Sequence, residues 1–365
     1  MMNKHHEPLL RIRSKNESTF LQKILVLSVA IIASLLVSAL FIYFVTKLDP
    51  ISVYVSMFKG AFGTARRTWI TIRDACLLLL ISVALAPAFR MRFWNCGAEG
   101  QVLIGGLVTA ALMIYFGNKV PTVILLMIML IVSAVAGSLW SFLPAFFKAR
   151  YDANETLFTL MMNYVAIQLV EFFVDFWDKK QSHSVGIINM NSQGGWFVPL
   201  FGQQYGFNIL IVLVATIAVY IYMKYSKKGY EGAVVGESLP TARYAGINVS
   251  KVIRNNVLIS GAIAGMAGFT EVAGISHTIS KETAGGRGFT AIIVCWLAKF
   301  DPIAMSLISF FIVFLGKGAS QISSDFGLNE YASNIITGII LFFILSSEFF
   351  NNYKVTFSHK QKESD

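Results

Sequence analysis

Long apolar runs separated by short, polar and mostly basic stretches dominate this chain. The uncharged runs Ile24–Thr46 and Val120–Phe147 are 23 and 28 residues long, and shorter ones recur almost to the C-terminus. About 20 apolar residues are enough to cross a bilayer as a helix. Because the runs are continuously apolar rather than alternating, they predict helices and not a β-barrel. The pattern therefore predicts an all-α polytopic membrane protein with ten transmembrane helices.

The polar stretches set the predicted topology and the domain boundaries. Basic residues mark the cytoplasmic side of a membrane. We therefore expect a cytoplasmic tail over 1–23, a transmembrane domain over 24–350 with a cytoplasmic loop at 224–254, and a cytoplasmic tail over 351–365. The N-terminal tail is expected to be loosely ordered. The stretch 47–74 is predicted as an external interfacial segment, although its arginines oppose the rule.

Composition narrows the class further. The chain is 55% hydrophobic and only 14% charged, whereas about a quarter of a soluble domain is charged. The net charge of +10 is spread over loops at the predicted membrane boundaries, so it indicates topology and no nucleic-acid partner. Cys76, Cys96 and Cys295 have no metal-binding spacing, and no metal or other cofactor is predicted for this chain.

No enzyme motif accompanies the apolar runs. The sequence lacks GxxxxGK[ST], so it has no loop of the kind that cradles nucleotide phosphates, and it lacks HExxH and a Ser/His/Asp arrangement. We therefore expect no catalytic residues and a transport role whose energy comes from elsewhere.

One cytoplasmic stretch stands out within the polar loop. Leu239–Ala245 contains no glycine and predicts a helix of two turns, with Gly236 as its start and Gly246 as its stop. A short helix exposed to the cytosol between two spans is well placed to contact a soluble partner. An ordinary solvated loop is the alternative.

Two polar segments fall at predicted membrane depth. In the glycine-rich run Asn95–Gly106, Glu99 either faces a cavity or partner, because a carboxylate in the membrane is costly, or caps a helix in water at the interface. Farther along, Thr159 and Asn163 are four residues apart and share a helix face. They either line a path or bond to a neighbouring helix.

Glycines also mark the later spans. Gly261, Gly265 and Gly268 predict a closely packed helix face. The uncharged run Phe289–Ala298 is too short to cross a membrane unless its opening, Gly285–Gly288, dips into the protein. Since Gly97–Gly100 opens an earlier span running the opposite way, a 5+5 inverted repeat is a further hypothesis, and interrupted helices of this kind point to a substrate path.

Three segments resemble one transporter family. Residues 94–101, WNCGAEGQ, are similar to the motif FNIGAEGQ, with Trp94 and Cys96 replacing Phe and Ile. Residues 154–164 resemble NEV…TIMLNY. Gly236 and Ala242–Ile247 resemble a coupling loop, although Glu237–Thr241 replaces its usual Asn-Pro pair and adjacent alanines. The motifs are those of permease subunits of bacterial ABC importers in the simple-sugar and nucleoside branch, nucleoside type.

The resemblance implies a type II-like permease that imports nucleosides across the bacterial cytoplasmic membrane by alternating access. It implies three partners: a separate ABC ATPase that binds ATP and Mg, a second homologous permease, and an extracytoplasmic solute-binding protein or lipoprotein. The ATPase-coupling candidates are Gly236, Glu237, Ala242, Arg243, Tyr244 and Gly246. The substrate-path candidates are Asn95, Glu99, Gln101, Thr159 and Asn163.

Two alternatives stay open on the sequence. Within the family, the chain would be a ribose-type sugar permease. From another class, it would be an ion- or proton-coupled secondary transporter with Glu99 and His277 as the relay, although a solvated loop is the commoner setting for such a histidine.

Overall fold

A computed structural model describes residues 10–14, 20–178, 184–200 and 202–357. The chain forms two compact units. One contains the residues up to Arg67 and those from Phe314 onward, and the other runs from Thr68 to Val313.

The regular elements of the described chain are helices, apart from one strand near each end. Its elements are β1 (Leu10–Ser14), α1 (Phe20–Phe41), α2 (Pro50–Phe62), α3 (Ala65–Arg90), α4 (Ala98–Phe116), α5 (Thr122–Tyr151), α6 (Glu155–Trp177), α7 (Gly206–Tyr225), α8 (Lys227–Glu237), α9 (Leu239–Tyr244), α10 (Val249–Glu271), α11 (Arg287–Leu297), α12 (Pro302–Phe326), α13 (Glu330–Asn352) and β2 (Tyr353–Phe357). Single π-helical segments, Ile42–Thr46 and Val272–Ser276, extend α1 and α10.

Nine helices of the described chain are long and apolar enough to cross a membrane, which confirms the all-α polytopic class. The tenth predicted span corresponds to α11, which has only 11 residues. At about 1.5 Å per residue, α11 covers roughly half of the hydrocarbon thickness. The hypothesis of an inverted repeat stays a prediction.

The first unit joins the two ends of the chain. β1 and β2 form an antiparallel pair in which Leu10 lies opposite Phe357 and Ser14 opposite Tyr353, and α1 packs against α13. The N-terminal tail was expected to be loosely ordered, but its residues 10–14 form this pair. Backbone hydrogen bonds between strands give these five residues a fixed register.

The segment 47–74, predicted as an external interfacial segment, is mostly helical. Asp49 caps α2, since its carboxylate accepts from the backbone N–H of Ser52 at 2.8 Å, and Pro50 supplies the fixed φ of the first turn. α3 begins ten residues before the predicted span. Its Arg73 donates to Asp74 at 2.8 Å, and the resulting ion pair explains how one of the unexpected arginines is neutralised.

In the second unit, α4, α5 and α10 pack against one another. Gly265 lies directly against the backbone of Gly105 on α4 and of Gly137 on α5, so no side chain fits between these helices. Gly268 makes the same close approach to the carbonyl of Val102. The predicted glycine face is therefore confirmed, and it allows the polar ends of these helices to meet.

The polar loop at 224–254 contains two helices where the sequence predicted one. α9 agrees with the prediction, and Gly246 ends it at φ +75°. Its start was wrongly assigned to Gly236, which lies inside α8. Ser238 begins α9 instead, because its hydroxyl accepts from the backbone N–H of Thr241 at 3.3 Å.

Candidate functional site

Glu99 lies buried at the start of α4, only 7% exposed, and joins it to the start of α11. Its Oε1 accepts the backbone N–H of Gly286 and its Oε2 that of Gly288, each at 2.7 Å. Such short bonds are typical of a carboxylate acceptor. Glu99 therefore does not end in water, and the helix that it caps is α11.

The glycines of the α11 opening make this contact possible. Gly286 adopts φ +71°, a left-handed conformation that is costly for other residues. The Cα of Gly288 faces the backbone nitrogen of Glu99 so closely that an added Cβ would lie 2.5 Å from it. Of the opening Gly285–Gly288 that was predicted to dip into the protein, Gly288 is buried against α4, whereas Gly285 and Gly286 are exposed.

Asn95 and Gln101 form a second buried contact beside Glu99. The Nε2 of Gln101 donates to Oδ1 of Asn95 at 3.1 Å, and Nδ2 of Asn95 donates to the hydroxyl of Ser260 on α10 at 3.0 Å. Both side chains are at most 1% exposed. Each side-chain amide gives the other a hydrogen-bond partner, as buried polar groups require.

Thr159 and Asn163 attach α6 to the same segment. Asn163 accepts the backbone N–H of Gly100 at 2.9 Å and donates to the carbonyl of Cys96 at 2.9 Å. Thr159 accepts the N–H of Cys96 at 3.2 Å. Both side chains bond to a neighbouring element, one of the two predicted alternatives, and so all five path candidates surround the opening of α4.

A further buried ion pair was missed by the sequence analysis. Glu271 on α10 is 6% exposed, and its Oε2 lies 3.6 Å from Nη1 of Arg287. Arg287, which lies within the glycine-rich opening of the predicted short span, has a partly buried side chain at the first residue of α11. The only sequence signal was a lone carboxylate at the end of the glycine-rich α10 run.

His277 is not a solvated loop residue. Its ring stacks on that of Trp196 with centroids 3.7 Å apart and an angle of 4°. Its backbone carbonyl accepts from Ile188, so it anchors the segment that follows α6. No direct contact between His277 and Glu99 is present.

The six coupling candidates divide into two groups. Gly236 and Ala242 are buried in this chain, and Ala242 belongs to a buried apolar cluster that includes Met91, Phe93 and Val252. Glu237, Arg243, Tyr244 and Gly246 are exposed, Tyr244 by 96%. α9 therefore seats on the membrane helices through Ala242 and presents Arg243 and Tyr244 outward.

A groove of about 920 Å³ runs beside α9, bounded by the α5–α6 connection and the start of α10. At its edge Lys148 bridges Asp152 at 2.7 Å and Glu155 at 3.0 Å. The hydrogen bond from Lys148, its charge and that of Arg243 hold the pKa of the Asp152 carboxyl below its usual value. The groove thus combines the paired charges of this connection with the exposed side chains of α9.

The described residues include no group of three or more His, Cys, Asp or Glu side chains placed to hold a metal ion. The contact between the starts of α4 and α11 offers buried hydrogen-bonding groups. The helix α9 offers an exposed, charged surface.

Comparison with known proteins identifies the class. A family model described as "Branched-chain amino acid transport system / permease component" matches residues 68–345. Because this match covers well over half of the chain, the protein belongs to that permease family.

Individual relatives are similar over nearly their whole length. The guanosine ABC transporter permease NupP of Bacillus subtilis is 31% identical over 333 residues, which are 90% of this chain and 94% of the relative. The glucose ABC transporter permease of Haloferax volcanii is 28% identical, covering 87% and 86%. The nucleoside ABC transporter permease NupB of Lactococcus lactis is 24% identical, covering 88% and 91%. No solved structure matches the chain.

Proposed function

We propose that this permease is the membrane subunit of an ATP-binding-cassette importer for nucleosides. The observation that carries the proposal is α9, a short capped helix whose Ala242 is held by the membrane helices while Arg243 and Tyr244 project into solvent. A rigid helix with an exposed arginine fork can contact a soluble ATPase and transmit its movement.

The substrate assignment rests on the relatives. The permeases named for guanosine and for nucleosides match about nine-tenths of this chain. The motif WNCGAEGQ at residues 94–101, which resembles that of the nucleoside type, supports the same assignment. In the proposal, ATP and Mg bind to the separate ATPase, and a binding protein or lipoprotein delivers the nucleoside on the other side. A second homologous permease completes the complex.

The termini are proposed to lie together in the cytoplasm. Pairing of β1 with β2 requires both ends of the chain to be on the same side of the membrane. An even number of membrane crossings satisfies this requirement. The nine long helices give an odd number, so α11 is needed for a tenth crossing. Arg11, Arg13 and Lys354, on the paired strands, favour the cytoplasmic side.

In the mechanism that we propose, the ATPase moves α9. The contact of α9 with the rest of the permease then shifts α3, α8 and α10. Arg90, at the end of α3, connects α3 to both α7 and α8. Its Nη1 donates to the carbonyl of Met223 on α7 at 3.0 Å, and its own carbonyl lies against Gly236 on α8. The solute shifts the equilibrium between two states of the permease only by the difference in its affinity for them.

Reconstitution tests the proposal directly. The permease, its partner permease, the ATPase and the binding protein are placed in proteoliposomes, and ATP hydrolysis is measured with guanosine, uridine, ribose or glucose. We expect the nucleosides to stimulate hydrolysis and the sugars to have no effect. Nucleoside uptake that persists in vesicles without the ATPase would contradict the proposed energy source.

A sugar permease is the second candidate, because the glucose permease of Haloferax volcanii is similar over most of the chain. The same assay decides between the two. Stimulation by ribose or glucose, with none by nucleosides, would assign the protein to sugars.

A further inference from the structure

The segment that leads into α11 crosses part of the membrane without being helical. Ile279 lies against Gly106 in the middle of α4, and Gly288 lies against Glu99 at its start. α4 begins inside the membrane, because Gly100 near its start bonds to Asn163, about two turns into α6, whereas Tyr115 near its end bonds to Trp177 at the end of α6. Residues 279–286 therefore lie at membrane depth alongside the first half of α4.

One side of this segment and of α11 is uncovered in the chain. Gly285 and Gly286 are exposed, and the exposure continues down α11 at Phe289, Ile293 and Trp296, which are 47%, 49% and 47% exposed. The spacing of three and four residues places these side chains on one helix face. We call Gly285, Gly286, Phe289, Ile293 and Trp296 the α11 face.

The opposite side of α11 is packed against the protein. Gly288, Ala291, Val294 and Cys295 are buried. The α11 face is thus a defined surface and not the result of a poorly packed helix.

Lipid is an unsuitable cover for the non-helical end of the α11 face. Non-helical backbone exposes N–H and C=O groups that hydrocarbon cannot satisfy, and at membrane depth it is found only against protein or water. Two exposed glycines at Gly285 and Gly286 add no side chain to shield that backbone.

We propose that the α11 face lines the water-filled solute path of the importer. The inference rests on the proposed function and adds to it the wall of the path and one contact for the solute. At the lower end of the face, Trp296 stacks on Trp94 with centroids 4.9 Å apart and an angle of 6°, and both indoles are exposed. Phe89 packs beside Trp94 and Phe300 beside Trp296, with centroids 5.8 and 5.7 Å apart. Aromatic rings contact one another by stacking or edge to face, so the exposed part of this cluster is the contact that we assign to the base of a nucleoside.

Thiol labelling tests the wetted face. In a chain whose Cys76, Cys96 and Cys295 are replaced by alanine, cysteine is introduced as Phe289→Cys or Ile293→Cys. Leu139→Cys and Val214→Cys are the matched controls, because these residues of α5 and α7 are also exposed, by 63% and 57%, within membrane spans. The reagent is a small, permanently cationic methanethiosulfonate, applied to open membrane fragments that contain the assembled importer.

We expect the α11 thiols to react about tenfold faster than the controls or more, because the thiolate is the reactive form and needs water. Saturating guanosine should slow labelling at Ile293→Cys. Equal rates at all four positions would overturn the inference, and so would a lack of any effect of guanosine.

Uptake and co-purification of the ATPase are measured on the same variants. Normal uptake together with unreactive α11 thiols would refute the wetted face and leave the proposed function standing. Reactive, guanosine-protected thiols in a preparation whose uptake needs no ATPase would support the face and contradict the proposed energy source.

Discussion

The buried contact between α4 and α11 and the exposed helix α9 use polar residues in opposite ways. Around α4, Glu99 and Asn163 direct their polar atoms to backbone groups of the same chain. On α9, Arg243 and Tyr244 are exposed, Tyr244 almost completely. The first region therefore holds the protein together, whereas the second offers its side chains to something outside it.

The difference separates two kinds of mutational effect. A change in the α4–α11 region alters the permease itself, because a buried donor or acceptor loses its partner. A change on the exposed side of α9 leaves the permease intact and alters only its assembly. Four substitutions, ordered by expected effect, test this distinction.

Ala242→Trp should have the largest effect, because Ala242 is 0% exposed and seats α9 on the membrane helices. Overpacking a core costs about 1–3 kcal/mol for a few added methylenes, and an indole exceeds that. We expect a lower melting temperature in detergent as well as loss of the co-purifying ATPase. The control Tyr244→Trp, at a 96% exposed site, should melt like the wild type. Wild-type stability of Ala242→Trp would show that α9 is not seated as described.

Arg243→Glu should weaken the ATPase complex and leave the permease stable. Reversing a charge that becomes buried in an interface costs about 2–5 kcal/mol. The measurement is co-purification of the ATPase together with the thermal melting of the permease. Lys228→Glu makes the same charge change on α8 and should retain more ATPase. Full co-purification with Arg243→Glu would mean that α9 is an ordinary solvated connection.

Glu99→Gln should reduce uptake strongly while the protein still reaches the membrane. The glutamine Oε1 can accept one of the two glycine N–H groups, but its amide N–H₂ then faces the other. A buried unsatisfied donor costs about 1–3 kcal/mol, so uptake should fall about tenfold or more. Glu282→Gln removes an exposed carboxylate from the same segment and should transport normally. Equal uptake by both variants would remove Glu99 from the role that we assign.

Asn163→Leu should have the smallest effect of the four. It removes the bonds to Gly100 and Cys96, and hydrogen bonds between membrane helices contribute about 0.6–2 kcal/mol. We expect a several-fold fall in uptake and normal pairing with the second permease. Tyr164→Leu changes the next residue, which is 66% exposed, and serves as the control. Unchanged uptake and substrate preference in Asn163→Leu would leave it a purely structural residue.

Much of the fold follows from local sequence, because membrane spans are set by the length of apolar runs. Nine spans and the stop of α9 at Gly246 were predicted in this way. α8 was missed because Gly229, Gly232 and Gly236 lower helix propensity. These glycines are there for contact, since Gly229 lies against Met223 and Gly236 against the carbonyl of Arg90, and tertiary packing compensates for their propensity.

The candidate site was only partly predictable. The glycine-rich openings at Gly97–Gly100 and Gly285–Gly288 were recognisable as two unusual segments. Nothing local shows that they meet, because Glu99 and Gly286 are 187 residues apart. The role of Arg287 was missed for the same reason, since its partner Glu271 ends a different helix.

The pairing of β1 with β2 makes the polypeptide nearly circular. Leu10 and Phe357 face each other across the pair, so a short linker could join the two ends with little loss of loop entropy. New termini could then be opened at an exposed connection such as Asp152–Asn154, where circular permutation is best tolerated. The helices would then leave the ribosome in a different order, but each would still have to pack against the same neighbouring helices.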